Sequence, residues 1–600
     1  MRIFVSLVLT LAVSSPAFGS PKPPSAKQQL ASLEAQYLDG LFRARPHLAS
    51  FMGDHRFDDK VMDLSDAALA KRHSELTTII AKAQAFDTSL PPTEVDAHVD
   101  LAILRDGAKL ELLYLDQIRD WSWDPRLYDS LPFYDPREIV ADRLSTLVHG
   151  DFAPEAERRK NAIAQLAALP RYLEQVRLAI TKTKGRKAPK VYVEQAIKTN
   201  LGRLEFMKTE LAPFLGHERS ATAVFDKAML ALSLYQKFLE HDLKSSDGDW
   251  RLGRAIYDEK YRLALQTERT PDEMVKRAQA DFAHARAELA DVARKLHKQL
   301  WPTLAIADKS PAGEAALIGK VKDELAKHHA KPEELVLAHG KKLDALRAFI
   351  EQKHLVDLPP RDSLTVSPMP EYKRGSSAAE YLAPGMLDGR PDFHATYYVD
   401  PIDPTWDKER VESYLRGQND YEVELIAAHE AYPGHHTQAA QERKDMSRLR
   451  ATLWNGPMVE GWAVYSEGQM VTHGWGDKDN DRYRFFDLRG RMVSATNLIL
   501  DVKLERGEMT DEEAVRFMVA EGFQERAMAE KKLLRAKLDS TQLCQYFLGL
   551  DELEQLRRDV EQQAKVAGRA FSEHDFHMAI VGHGSIAIPY LRHYLLPGAR

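Results

Sequence analysis

Apolar residues recur at intervals of three and four along most of the chain, which predicts a mainly α-helical protein. The windows 31–43, 95–115, 155–181, 191–211, 221–243 and 271–296 carry this period most clearly. Asp124-Pro125, Ser130-Leu131-Pro132, Leu169-Pro170, Gly216-His217 and the stretch 245–249 punctuate it. Thr270-Pro271-Asp272-Glu273 has the marks of a helix start: a capping hydroxyl, a proline at the first helical position and acidic residues in the first turn. No fixed-period repeat recurs, so a helical solenoid is disfavoured. Between about 357 and 404 prolines cluster, and β-prone runs appear at 363–368 and 394–400. They predict either a small sheet, whose edge can take up an extended peptide, or a long packed loop. Helical periodicity returns at 483–505, 510–523, 527–537 and 542–567.

The helical pattern between 421 and 444 carries the chemistry. His429-Glu430-Ala431-Tyr432-Pro433-Gly434-His435-His436 sets three imidazoles and a carboxylate on a stretch whose Leu425, Ile426, Ala428 and Tyr432 predict burial. Buried polar groups need partners, and a divalent metal supplies one. In a zincin helix the two histidines stand at i and i+4, with the intervening glutamate acting on water. Here i+4 is Pro433, and the later histidines stand at i+6 and i+7, with Cα atoms roughly 9 to 10 Å from that of His429 in a straight helix. Pro433 breaks the hydrogen-bond ladder and Gly434 tolerates unusual backbone angles, so a deformation here is predicted to return His435 or His436 to the metal.

Further on, Asn455-Gly456-Pro457 opens a second apolar helix with Glu460, Ala463, Val464 and Glu467 on one face. The economical ligand set is His429, His435 and Glu460 with one position left for water, the arrangement of catalytic zinc. His436 then stands as an outer group or as the alternative ligand, and Glu467 either as a group orienting a ligand or as the partner of a surface lysine. Glu430 is expected to act as general base on a metal-activated water and to pass the proton to the leaving amine. His328-His329 is expected to be solvated, and His574, His577 and His583 match no ligand spacing.

Composition narrows the setting. The 600 residues carry 83 basic and 90 acidic side chains for a net charge of −7, spread evenly, so no nucleic-acid surface is expected. Residues 1–19 read as a signal peptide, an apolar run with small residues before Ser20, and no other stretch is long and apolar enough to span a bilayer. Export to the periplasm or medium follows, without a cysteine at the cleavage point for lipid attachment. The chain's one cysteine, Cys544, leaves no internal disulfide or thiolate metal site, and its apolar surroundings mark it as a core residue.

These motifs resemble a bacterial family, domain-of-unknown-function family 885. The segment His429 to His435 matches its His-Glu-x-x-Pro-Gly-His element, and Glu460 to Tyr465 matches its Glu-Gly-Trp-Ala-x-Tyr element. The resemblance implies a large two-lobed helical zincin-like fold with a cleft: residues 20–355 as one wall, 356–600 as the metal-binding catalytic region with a small β element before the metal helix. It favours His435 over His436 as second ligand, because the histidine after glycine recurs in the family. It also implies one Zn2+ ion, a peptide substrate, and a late tyrosine, Tyr546, that stabilises the oxyanion. One departure is Asp501-Val502-Lys503-Leu504-Glu505, where relatives often carry Asp-x-Gly-x-His. The function expected is an exported zinc peptidase. Alternatives are an inactive zinc-containing peptide-binding protein and a metallohydrolase of non-peptide amides or esters.

Overall fold

The computed structural model of the protein describes residues 25–130, 137–306, 310–361, 363–375, 377–389, 393–444 and 446–596. The signal-peptide pattern at 1–19 and the Leu131-Pro132 break lie outside the described residues. Helices follow the period predicted for them. Ala26–Ala44, Val95–Leu113, Lys190–Phe206 and Arg219–Lys237 occupy expected windows, and the last three continue into a wider π turn that completes the apolar stripe. One expected break is absent. Glu155–Lys182 is a single helix with Pro170 inside it. The proline removes one ladder bond, but buried Leu166, Leu169, Tyr172, Leu173 and Val176 on both sides of it hold the helix against its neighbours.

Two hydrophobic cores result. The smaller gathers residues from Leu64 to Leu239, around helices Ala141–His149, Glu155–Lys182 and Arg219–Lys237. The larger draws on both ends of the chain, from Leu33 to Leu596. Its frame is α1 (Pro271–Leu300), capped as expected by Thr270, whose hydroxyl accepts from the Glu273 N–H. It continues with α2 (Asp420–Glu430), α3 (His435–Glu442), α4 (Gly456–Thr472), α5 (Asn480–Glu505), α6 (Arg526–Leu538) and α7 (Cys544–Val566). Helix α1 packs along α5, and α4 along α7. Arg491 of α5 clamps three helices together, donating to Asp281 of α1 at 2.7 Å and to Glu554 of α7 at 2.5 Å.

The Pro-rich stretch is a sheet rather than a packed loop. Strands β1 (Leu364–Pro368), β2 (Ala379–Leu382) and β3 (Ala395–Val399) form one sheet in the order β1-β3-β2, with β1 parallel and β2 antiparallel to β3. The two β-prone runs became β1 and β3. Strand β2 carries Ala and Glu, which favour helices, so its sequence did not mark it.

Helices α4 and α7 meet backbone to backbone. A Cβ on Gly461 would lie 2.5 Å from the Gly549 backbone, and a Cβ on Gly549 would lie 1.9 Å from the Pro457 carbonyl oxygen. Gly549→Ala must push the two helices apart, and overpacking of this kind costs about 1–3 kcal/mol. The unfolding midpoint in urea is expected to fall. Gly319→Ala, at a helical glycine with open space where the methyl goes, is expected to leave it unchanged or raise it. Equal midpoints for Gly549→Ala and the parent protein would refute the contact.

Candidate metal centre

Helix α2 begins where Asn419 accepts from the Tyr421 and Glu422 N–H groups, and it ends at Glu430. Residues 431–434 then turn the chain before His435 opens α3. Gly434 sits so close to the α2 terminus that a Cβ there would be 1.8 Å from the His429 carbonyl oxygen, so no other residue fits. The turn is held from outside, since Trp462 of α4, 1% exposed, donates its indole N–H to the Pro433 carbonyl at 3.0 Å. The Pro-Gly segment and the Glu-Gly-Trp segment are therefore one structural unit. His429 and His435 come from two helices, which is how a spacing of six residues puts them side by side with ring centroids 4.7 Å apart.

Glu460 completes the cluster. Its Oε2 lies 3.4 Å from His429 Nε2 and 3.6 Å from His435 Nε2. These distances are long for hydrogen bonds, and Glu460 Oε2 is buried with no hydrogen-bond partner. Ligand atoms about 2.0–2.2 Å from a tetrahedral ion are about 3.3–3.6 Å from one another. The donor atoms of the three side chains all lie within 4.8 Å of one another, and among the described residues this is the one such group of His, Cys, Asp or Glu. The residues present fit a divalent ion.

The surroundings orient the ligands. His429 Nδ1 is 2.6 Å from Oε1 of Glu467, which stands two turns from Glu460 on the same face of α4, so the carboxylate fixes the ring and turns Nε2 toward the cluster. Burial disfavours an imidazolium at His429, but Glu460 and Glu467 outweigh it and raise the ring well above its usual range. Burial would likewise raise Glu460, yet the two imidazoles draw it far below the usual carboxylate range. Glu467 is raised by burial.

His436 does not join the cluster. It is fully buried, with Nε2 2.8 Å from the Ser363 hydroxyl and Nδ1 3.1 Å from the Tyr381 hydroxyl, and burial pushes its pKa down to about 3. Tyr381 of β2 also lays its ring beside His435, 6.2 Å between centroids. Neither Tyr381 nor Ser363 carried any signal in the sequence, because both reach the site through the sheet.

The cluster opens on a cleft of about 450 Å³ lined by Glu430, Tyr546, Arg535 and the whole of β2. Tyr546, on α7, stacks near His429 at 6.3 Å, and its hydroxyl oxygen accepts from Arg535 at 3.0 Å. Asp501 is fully buried, accepting from the Tyr257 hydroxyl at 2.6 Å and from the Thr541 and Leu543 N–H groups, so it shapes the approach to α7. Glu505 accepts from the Leu252 N–H, and burial raises it to about 8. Neither lines the cleft. His574, His577 and His583 are spent elsewhere: His574 on Asp357, His577 on Tyr465 and the Leu355 carbonyl, His583 on the Ala579 carbonyl.

A family model described as "Bacterial protein of unknown function (DUF885)" matches residues 46–595. The chain belongs to the DUF885 family. A DUF885-like fold recurs in a solved structure from Shewanella oneidensis, described as a "putative lipoprotein of unknown function". It is 26% identical with a TM-score of 0.74, over 96% of this chain and 100% of that one. A structure from Colwellia psychrerythraea, described as a "putative lipoprotein", is 16% identical with a TM-score of 0.73, over 95% of this chain and 100% of that one. No curated protein matches the chain.

Metal analysis tests the ligand set. Protein refolded or exchanged in zinc is expected to hold about one ion per chain. His435→Ala is expected to lose it and His436→Ala to retain it, while Glu467→Ala weakens binding by roughly 10–100-fold. Zinc retained by His435→Ala and lost by His436→Ala would reverse the assignment.

Proposed function

We propose that the protein is an exported zinc-dependent peptidase. The observation that carries this reading is the convergence of His429, His435 and the unpartnered Glu460 oxygen on the floor of a cleft. Two imidazoles and one carboxylate leave a position open, as catalytic rather than structural zinc does. Bound there, zinc acts as a Lewis acid toward a carbonyl and acidifies water. Glu430, beside His429 and lining the same cleft, is placed to take the proton from the attacking water and deliver it to the leaving amine. Arg535 and Gln542 donate to the Tyr546 hydroxyl oxygen. This polarises the phenol O–H for donation to the oxyanion.

A peptide substrate is supported by β2. Among the described residues it pairs with β3 on one side only, and its residues Ala379, Glu380, Tyr381 and Leu382 line the cleft. An extended peptide adds to such an edge through main-chain hydrogen bonds. The zincin-like architecture and Zn2+ as the metal belong to this reading. The leader pattern of residues 1–19 and the description of the solved relatives as lipoproteins support export to the cell envelope.

Glu430→Gln is expected to keep its zinc and lose peptide hydrolysis by at least 100-fold, read with a mixed peptide library and mass spectrometry. Full activity in that variant would sink the mechanism. Zinc without turnover in the parent protein would favour a peptide-binding role, and turnover restricted to non-peptide amides or esters a different hydrolase.

A further inference from the structure

The cleft continues past the metal ligands along α3. His435, Gln438, Ala439 and Glu442 line it at intervals of three and four, which puts Glu442 two turns, about 10 Å, beyond His435. Glu442 is 7% exposed, and its Oε1 accepts from Gln438 Nε2 at 2.9 Å and from the Ser585 hydroxyl. Among the described residues no basic side chain forms an ion pair with it. Gln438 is 2% exposed, and its Nε2 is committed to Glu442 and Ser585. Its Oε1 is buried with no hydrogen-bond partner.

At this end of the cleft Glu442 and Gln438 therefore present acceptor oxygens. Met446 and Trp454 line it as well, and they add no cation. A carboxylate kept from water without a counter-charge is costly, and burial accordingly raises Glu442 to about 7. A buried amide oxygen without a donor adds a further cost of about 1–3 kcal/mol. Both deficits are met by the same kind of group, a positively charged N–H donor.

We propose that Gln438 and Glu442 form a recognition site for a cationic amine of the substrate, either the amino terminus of a peptide or a lysine side chain. The inference rests on the peptidase reading and names its substrate class. The ammonium donates one hydrogen to Gln438 Oε1 and another to the Glu442 carboxylate. Extended chain spans about 3.3–3.6 Å per residue. An amino terminus seated at Glu442 thus sets the bond at the metal roughly three residues into the peptide, and a lysine reaches the same place from a residue nearer that bond.

The test uses the zinc-loaded Glu430→Gln protein and three probes: tetra-alanine amide, its N-acetylated form, and the N-acetylated form with lysine in place of the first alanine. Calorimetry is expected to give at least ten-fold tighter binding for the free amine, the lysine form, or both over the acetylated form, and the pattern identifies the source of the cation. Adding Glu442→Gln is expected to bring the ratios close to one while zinc content stays near one per chain. Equal affinities for the three probes, or a preference that survives Glu442→Gln, overturns the site. So does absence of binding by all three. The comparison within the Glu442-containing protein needs no substitution at that position, so it stands even if Glu442→Gln fails to fold. Hydrolysis of the acetylated probe by the parent protein, with no amine preference, would leave the peptidase reading intact and remove this one. An amine preference without any hydrolysis would do the reverse.

Discussion

Three carboxylates, the buried Glu430 and the partly buried Glu460 and Glu467, surround two imidazoles at the bottom of the cleft. That surplus of acid, largely withdrawn from bulk water, is the condition the rest of the fold has to meet. Each carboxylate taken from water loses several kcal/mol of hydration unless a partner replaces it. Glu467 has its partner in His429, at a short 2.6 Å. Glu460 has only long contacts to ring nitrogens and an oxygen with no donor. A divalent ion between the three donor atoms answers this imbalance directly. Hydrophobic packing by itself has no means of stabilising such an arrangement.

Holding it requires rigid elements on all sides. Helix α4 supplies Glu460 and Glu467 from one face, and its position is fixed by the glycine contact with α7 on one side and by the Trp462 bond to Pro433 on the other. Helix α7 in turn brings Tyr546 to the cleft, after a turn whose N–H groups are gathered by buried Asp501. The departure at Glu505 from the Asp-x-Gly-x-His pattern falls on the side of α5 that faces Leu252 rather than the cleft. Nothing in the cluster leans on it.

The parts of this arrangement that follow local rules were legible in the sequence. Helical period predicted α1, α4, α5 and α6 within a few residues, and the incompatibility of Pro433 with a continuous helix predicted the deformation between His429 and His435. That expectation left the form of the deformation open; the chain stops α2 and starts α3 afresh, and Trp462 captures the carbonyl that the turn leaves open. That bond joins residues 29 apart, and no window of sequence contains it. Pro170 shows the opposite failure. A local breaker was overruled by packing on both sides of it. Tyr381, Ser363 and Ser585 were invisible for the same reason as the Trp462 bond: each meets the residues around the site from a distant segment, through a contact that only the folded chain brings about.

The two candidate ligand histidines are supported differently, and the difference follows from the break between their helices. His429, in the last turn of α2, faces α4 and takes a carboxylate on its second nitrogen. His435, at the first position of α3, has its Nδ1 buried without a hydrogen-bond partner. Its ring is steadied instead by Tyr381, whose hydroxyl is tied to His436. A charged hydrogen bond holds a ring to within narrow limits, whereas a stacked ring allows sliding. The His435 side of the site is therefore the more compliant one. It is also the side that borders β2, so the strand proposed to receive a substrate is the element against which the looser candidate ligand rests.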